Sequence, residues 1–482
     1  MSNIKHYLWS GINRIGLQII GFVGNIFLVR QLTPEDYGLV AMLAIFMGIA
    51  SNLIDSGFAD GLIRKRKPDK QDYGTIFMYN VTLSLIIYVI LFGLAPFIAN
   101  FFQRNELIEI IRILGFSIIV RSLTITEFTR MRKELLFKRT TLIQLMSNLI
   151  SILIAFLMAF NGFGYWALVF QTISIAVIDL FLIIIINKWR PYFFFSWGKY
   201  KRMRAFSNNL LLSYFFNQIG NNAYSFFIGK FYSANSLGFY NQGRRLNDSI
   251  FKGLNGVIVS TSYPILANEV DEEKRKNMYK VILSHFLFIQ FGIALFLIGV
   301  SKPLIEFLYG NLWLQTASYF QFIVISFIFY PLVTINASII KVIGKSKLYR
   351  NLTFLRNGLS LFFLIITVSY SIEIVLIGQI FARYISVIVD VLLCGKLIKF
   401  GFYEQFKIVI NQIWSPIIAL SVAFIGMSFF NILIVKIISY TTLFFLLFYI
   451  LNYLSHNTSQ LFFGKKLIYL KKNLINKQDD NI

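Results

Sequence analysis

Basic and amide side chains recur at helical spacing inside long apolar runs, a combination that can hold an anion within a membrane. In the run from 238 to 266, Asn241, Arg245, Asp248, Lys252 and Asn255 fall at i, i+4, i+7, i+11 and i+14, one helix face, with Arg244 flanking it. The run from 10 to 30 carries Arg14, Gln18, Gly21 and Asn25 on a similar face, and Tyr214, Gln218, Asn221 and Ser225 repeat it at an offset of 200 residues. Asn52 and Asp55 stand where the later copy has Lys252 and Asn255. A charged residue at the centre of a lone apolar helix costs ~2.5 to 3.5 kcal/mol on insertion, so these faces are expected to look into protein or water. Pairing among themselves, Arg245 with Asp248 or Arg14 with Asp55, is one way to satisfy them. It cannot satisfy all, because Arg14, Arg244, Arg245 and Lys252 outnumber Asp55 and Asp248. The surplus calls for an anion, and phosphate or pyrophosphate fits: a guanidinium forks onto two oxygens while an ammonium adds a point charge.

Those four cations are the candidate pyrophosphate ligands. Gln18, Asn25, Asn52, Asp55, Tyr214, Gln218, Asn221, Asn241, Asp248 and Asn255 are the candidate cavity-lining residues. Other charges within apolar runs, Arg112, Arg121, Glu127, Asp179, Arg356, Arg383 and Asp390, are scattered, and Asp179 and Asp390 read as structural partners of neighbouring helices.

The elements that position these groups follow from composition. With 57% hydrophobic residues, 52 Phe and a mean hydropathy of +0.66, a chain of 482 residues takes the bilayer as its solvent. Fourteen apolar runs, each near the roughly 20 residues that cross ~30 Å of hydrocarbon, are expected to span it. They cover about 10–30, 38–62, 76–102, 107–128, 141–160, 164–187, 207–230, 238–266, 281–308, 315–340, 351–370, 372–395, 410–430 and 432–453. Lys and Arg concentrate in alternate connections, at 64–70, 130–139, 188–204, 274–280, 341–350, 396–407 and 465–477. Cationic loops are retained in the cytoplasm, so both termini are predicted there. The net charge of +24 follows from this asymmetry and attracts anionic headgroups; it does not indicate nucleic-acid binding.

The chain also repeats itself. Gln18-Ile19 returns as Gln218-Ile219, Gly38 as Gly238, and Met78-Tyr79-x-Val81 as Met278-Tyr279-x-Val281. Farther on, Asn148-x-x-Ser151 recurs as Asn357-x-x-Ser360 and Asp179 as Asp390. Six spans separate the copies, an even number, which predicts a pseudo-two-fold axis along the membrane normal. The expected fold is an all-α membrane protein: a six-helix lobe over 1–187, a basic and aromatic cytoplasmic connector over 188–206, and a second six-helix lobe over 207–398. Two extra transmembrane helices over 399–453 and a basic cytoplasmic tail over 454–482 complete it. Trp189, Trp197 and Tyr200 suit the connector to headgroup depth. The first run, interrupted by Asn13, Arg14 and Gln18, does not read as a cleaved signal.

Catalytic readings find little support. The single cysteine, Cys394, allows neither a disulfide framework nor a thiolate cluster, and His6, His285 and His456 are dispersed without a metalloprotease, hydrolase or P-loop pattern. His285 is expected to hydrogen-bond within its own helix. A membrane polymerase or ligase would want a sizeable outer loop, and the gaps near 160–164 and 371–373 are short. No cofactor is expected beyond a coupling Na⁺ or H⁺. An exporter of cationic drugs is the alternative transporter, but it wants an acidic cavity.

The segment Arg30-Gln-Leu-Thr-Pro-Glu-Asp-Tyr-Gly-Leu-Val-Ala-Met42, with Leu237-Gly-Phe-Tyr-Asn-Gln-Gly-Arg-Arg-Leu246 and Tyr263-Pro264-Ile265-Leu266, resembles the polysaccharide-transport branch of the multidrug/oligosaccharidyl-lipid/polysaccharide exporter superfamily. The likeness covers about residues 5 to 400, with Arg245 at the matching basic position. It implies a flippase of the bacterial cytoplasmic membrane that turns undecaprenyl-pyrophosphate-linked oligosaccharide units to the outer leaflet, for O-antigen, capsule or exopolysaccharide. Implied partners are the lipid-linked substrate, membrane lipids, a polysaccharide polymerase and chain-length machinery. On that reading Gln18, Asn25, Tyr214, Gln218 and Asn221 would hydrogen-bond sugar hydroxyls, and two rocking lobes would alternate access to a central cationic cavity.

Overall fold

Lipid offers no partner to a bare amide, so a spanning chain must satisfy its backbone internally, and helix is the only regular structure among the described residues. The structure, a computed structural model, describes residues 2–55, 58–455, 457 and 459, with backbone alone for 2–7, Asp55 and 205–217. The side chains of Asp55, Tyr214, His6 and His456 and the tail from 460 onward lie outside it. The elements are α1 (Ser2–Gln31), α2 (Pro34–Met42), α3 (Ala44–Asp55), α4 (Phe58–Arg64), α5 (Lys70–Phe102), α6 (Glu106–Lys133), α7 (Phe137–Phe160), α8 (Trp166–Asn187) and α9 (Trp197–Phe231). They continue with α10 (Ala234–Asn268), α11 (Glu272–Tyr309), a 3₁₀ turn (Asn311–Trp313), α12 (Gln315–Phe327), α13 (Tyr330–Val342), α14 (Ser346–Thr367), α15 (Ile372–Ile398), α16 (Phe402–Ser428) and α17 (Leu433–Leu454).

Every expected span falls on one of these helices or on a broken series: 38–62 is α2 to α4, and 315–340 is α12 with α13. Among the described residues nine helices are long and apolar enough to cross a bilayer, or ten if the bent series α2 to α4 is one span. That criterion does not reach fourteen. Helices α6, α10 and α14 stay outside it because charges such as Arg121, Arg245 and Arg356 lower their hydropathy, and part of α9 lacks described side chains.

By packing, the chain divides into two units, up to Asn241 and from Gln242. In the first, α5 lies on α6, α7 on α8 and α1, and α9 against α2, α3, α4 and α5. In the second, α16 packs on α11 and α17, and α15 on α12, α13 and α14. The packing boundary follows the first helix of the second sequence copy, whereas the repeat boundary precedes it.

Local chemistry explains the Arg30–Met42 motif. Thr33 caps α2 by accepting the Asp36 amide at 3.3 Å, and the Asp36 carboxylate accepts the Thr33 amide at 2.8 Å, a reciprocal box with Pro34 opening the helix. The Tyr37 hydroxyl donates to Asn25 Oδ1 at 3.3 Å, tying α2 back to α1. Gly38 is where α2 meets the start of α10: a Cβ there would lie 1.8 Å from the Ala234 carbonyl oxygen. The converse holds 200 residues on, where a Cβ on Gly238 would lie 1.9 Å from the Pro34 carbonyl oxygen. Repeat mates thus touch reciprocally, as a two-fold relation requires.

The connector is strapped to the first unit. Helix α8 ends with Lys188 in the left-handed region (φ 48°), and the chain turns so that Trp189 and Phe193 stand against Phe77, with centroids 5.7 and 5.6 Å away. The Ser196 amide donates to Thr75 Oγ1 at 3.2 Å, and Tyr200 stacks beside Phe58 and Tyr79. Trp189 and Tyr200 are half-buried against protein rings, while Trp197 is exposed.

Lys199 closes the strap on Asp69, the N-cap of α5, at 2.5 Å. The Lys199 ammonium, aided by the Asp72 amide, holds the Asp69 carboxyl at about 2. A carboxylate whose folded pKa lies below its unfolded value of roughly 3.9 stabilises the fold above that value and loses the contribution as pH falls through the folded one. In a variant keeping Trp189 as its one tryptophan, fluorescence is expected to shift red between roughly pH 4 and pH 2. Lys199→Met should show the shifted spectrum at neutral pH and lose the transition; an unchanged transition would exclude the pair. The pair is exposed, so the effect is small and weakens with salt.

Candidate functional site

The candidate residues divide between those held by internal bonds and those left open. On α1, Arg14 and Gln18 are exposed, Gln18 with a contact of its own, and Asn25 is buried as the acceptor of Tyr37. Asn52 Nδ2 on α3 donates to Gln218 Oε1 on α9 at 3.2 Å. That approach is made by Gly48, whose Cβ would fall 1.6 Å from Gln218 Nε2. Asn221 is exposed on α9. Asn241 donates to the Leu237 carbonyl at 3.0 Å and accepts the Ser225 hydroxyl at 3.2 Å, within one helical turn and across to α9.

Farther along α10, Asp248 pairs with Lys252 at 2.8 Å, not with Arg245. Lys252 is 71% exposed despite the bond. Arg244 is half-buried and Arg245 exposed, and Asn255 Oδ1 is buried without a hydrogen-bond partner. Among the described residues Arg14, Arg244 and Arg245 form no ion pair, and Asp55, the candidate partner of Arg14, lies outside them. Internal pairing accounts for Asn25, Asn52, Gln218, Asn241, Asp248 and Lys252; it does not account for the arginines.

The scattered charges have structural duties. Arg356 on α14 reaches Asp390 on α15 through Nε at 3.0 Å and Nη2 at 2.7 Å, and the carboxylate is fully buried. Glu127 receives Arg130 at 2.7 Å and the Asn187 amide. Arg112 lies 4.3 Å over Phe92 and Arg383 3.7 Å over Phe327, where a ring face offers a cation partial compensation. Asp179 is half-buried with a buried, unpartnered Oδ1, and Arg121 is exposed. His285 bonds through Nδ1 to the Val281 carbonyl at 2.6 Å, one turn back in its own helix, as expected. No group of His, Cys, Asp or Glu among the described residues could hold a metal.

Two buried polar networks in the second unit escaped the reading by spacing. The Tyr279 hydroxyl meets Asn336 Oδ1 at 2.5 Å and Gln405 Oε1 at 2.9 Å, and Gln405 Nε2 donates to the Phe400 carbonyl at 3.0 Å. Ser284, Gln412 and Asn457 form a chain that reaches Asn452 and Ser415. The available signal was amides within otherwise apolar helices, together with the repeated Met-Tyr-x-Val that pairs Tyr279 with Tyr79. The second unit also has an open apolar pocket of about 190 Å³ lined by Phe329, Leu332, Tyr384, Val391, Phe406 and Val409.

An all-helical membrane chain with broken spans, whose two sequence copies meet reciprocally and present polar faces, has the build of a secondary transporter. Solved structures share its fold. The lipid II flippase MurJ in an inward closed conformation matches with a TM-score of 0.67 over 92% of this chain and 99% of its own, at 16% identity. An inward-facing multidrug resistance MATE family transporter of the MOP superfamily matches with a TM-score of 0.60 over 82% and 98%, at 17% identity. The particular family is given by residues 27–318, which match Polysaccharide biosynthesis protein over more than half of the chain: the protein belongs to that family. Teichuronic acid biosynthesis protein TuaB of Bacillus subtilis is 25% identical over 73% of this chain and 74% of its own. Succinoglycan biosynthesis transport protein ExoT of Rhizobium meliloti is 21% identical (63% and 62%), and lipopolysaccharide biosynthesis protein WzxC of Escherichia coli 24% (63% and 63%). The family agrees with the polysaccharide branch expected from the motifs, and among these relatives ExoT bears the name of a transport protein.

Proposed function

We propose that this protein is a flippase that moves undecaprenyl-pyrophosphate-linked oligosaccharide units from the inner to the outer leaflet of the bacterial cytoplasmic membrane. The observation that carries the reading is Arg14, Arg244 and Arg245, without an ion pair among the described residues, on helices of a transporter fold. Positive charge in that setting needs an anionic cargo, and a pyrophosphate presents oxygens in the geometry a guanidinium forks onto. Relatives named for teichuronic acid, succinoglycan and lipopolysaccharide biosynthesis support a glycan as the rest of the cargo.

In this mechanism the arginines hold the pyrophosphate through alternating access, and Lys252 adds charge when Asp248 releases it. Gln18 and Asn221, exposed on their helices, hydrogen-bond sugar hydroxyls. Asn25, Asn52, Gln218 and Asn241 already have protein partners and so bind sugar only by exchanging those bonds, which keeps the hold weak enough for release. The basic loops face the cytoplasm, and the delivered units pass to a polymerase and its chain-length machinery.

The test replaces Arg244 and Arg245 by Ala and measures lipid-linked repeat units at the cytoplasmic face. Accumulation of at least about tenfold is expected, as for loss of charge-assisted bonds worth ~1.5 to 3 kcal/mol each. Arg245→Lys should recover part of the flux, since an ammonium keeps charge without the fork. Unchanged surface glycan at wild-type membrane abundance would refute the assignment.

A further inference from the structure

Apart from the faces of α1 and α10, the first unit holds a cationic cavity of about 370 Å³ where the end of α8 and the start of the connector meet α5 and α6. Lys70, Arg130, Lys188 and Arg190 line it, against one carboxylate, Glu127. That carboxylate is already engaged: Arg130 reaches it through Nε at 2.9 Å and Nη2 at 2.7 Å, and Asn187 donates to it as well. Arg130 also meets Glu134 at 3.2 Å, so its charge is balanced. Lys70, Lys188 and Arg190 form no ion pair among the described residues.

A second feature points to a ligand. Thr126 lines the same cavity, is only 5% exposed, and its Oγ1 is buried without a hydrogen-bond partner. A buried hydroxyl left unmatched costs the desolvation of a polar group unless something arrives to accept its proton. Three unbalanced cations beside a waiting donor define what that something is: an oxyanion with several acceptor oxygens. The lining is also aromatic, with Trp189 edge-on to Phe77 at 5.7 Å, which suits the organic portion of an ester better than a bare ion.

The structure assigns this cavity as a binding site for a phosphoryl group carried by an organic ester, separate from the transported pyrophosphate. Such a ligand joins the connector, through Lys188 and Arg190, to the ends of α5 and α6, through Lys70 and Thr126, and so tightens the strap that Lys199 begins. Two sources carry this chemistry, the headgroup of an anionic phospholipid and a soluble phosphate monoester.

The experiment uses the full chain purified in detergent. Native mass spectrometry compares retention of phosphatidylglycerol with that of phosphatidylcholine, and thermal unfolding is followed with and without glycerol 3-phosphate. Phosphatidylglycerol is expected to be retained preferentially, or glycerol 3-phosphate to raise Tm, and whichever occurs identifies the source. Lys188→Ala with Arg190→Ala should weaken that binding about tenfold or more, two interfacial cations being worth about 1 kcal/mol each. Thr126→Val, which preserves side-chain volume, should weaken it several-fold while leaving the ligand-free Tm unchanged or higher. No preference for either phosphoryl compound, or binding undiminished in both variants, overturns the assignment. Transport is not the readout, so either result leaves the flippase reading to its own test.

Discussion

Gly38→Val and Gly238→Val are each expected to prevent accumulation of folded protein, and the corresponding Ala variants to lower its thermal stability sharply. A Cβ at either position would penetrate a backbone carbonyl, at 1.8 Å from Ala234 O or 1.9 Å from Pro34 O. A flexible side chain could swing aside, but a carbonyl held in a helix cannot move without displacing its element. Overpacking costs typically about 1 to 3 kcal/mol, and a backbone clash belongs at or above the upper end. Because the contact is reciprocal, both substitutions push the same two segments apart. Gly38→Ala combined with Gly238→Ala should therefore cost less than the sum of the singles. Fluorescence-detected size-exclusion chromatography and thermal unfolding in detergent provide the check. Alanine variants with wild-type Tm would mean that α2 and the start of α10 are not in contact.

Arg356→Ala is the second large effect. Asp390 has no exposed side-chain surface, and among the described residues the Arg356 guanidinium both hydrogen-bonds it and forms its ion pair. Removing one partner of a buried pair leaves an uncompensated charge and costs about 3 to 5 kcal/mol, whereas replacing both by apolar groups of similar volume is often neutral or stabilising. The single variant should lose most of its folded fraction on mild heating, and Arg356→Met with Asp390→Leu should recover it. A double variant no more stable than Arg356→Ala would show that the pair does more than hold α14 against α15. The first sequence copy offers an internal control. Ser147 stands where Arg356 stands, each just before the repeated Asn, so Asp179 has no guanidinium at the equivalent place. Asp179→Asn is accordingly expected to cost far less than Asp390→Asn.

The two aspartates show how far spacing reaches. Their recurrence marks them as repeat mates and their position in apolar runs marks them as structural, and Ser147 in place of Arg356 marks the difference between them, but only the through-space distance shows that Arg356 reaches Asp390. The α10 stripe behaved similarly. Its face was legible, because residues four apart are neighbours on any helix, yet Asp248 had two candidate cations at suitable spacing, and it bonds Lys252, one turn ahead, not Arg245, three residues back. Asn52 and Gln218 were both assigned to an open interior, and they bond each other across 166 residues of sequence.

What the residues determined unaided was whatever depends on composition and on near neighbours. An apolar excess requires the bilayer, and the bilayer requires helices. Thr33 and Asp36 start α2 from three residues apart, the repeat defines two related copies, and surplus cations call for an anion. Only the tertiary structure decided which polar groups are already satisfied and which are left for a ligand. That depends on through-space distances of about 3 Å between groups far apart in sequence, and such distances follow from packing, which periodicity does not encode.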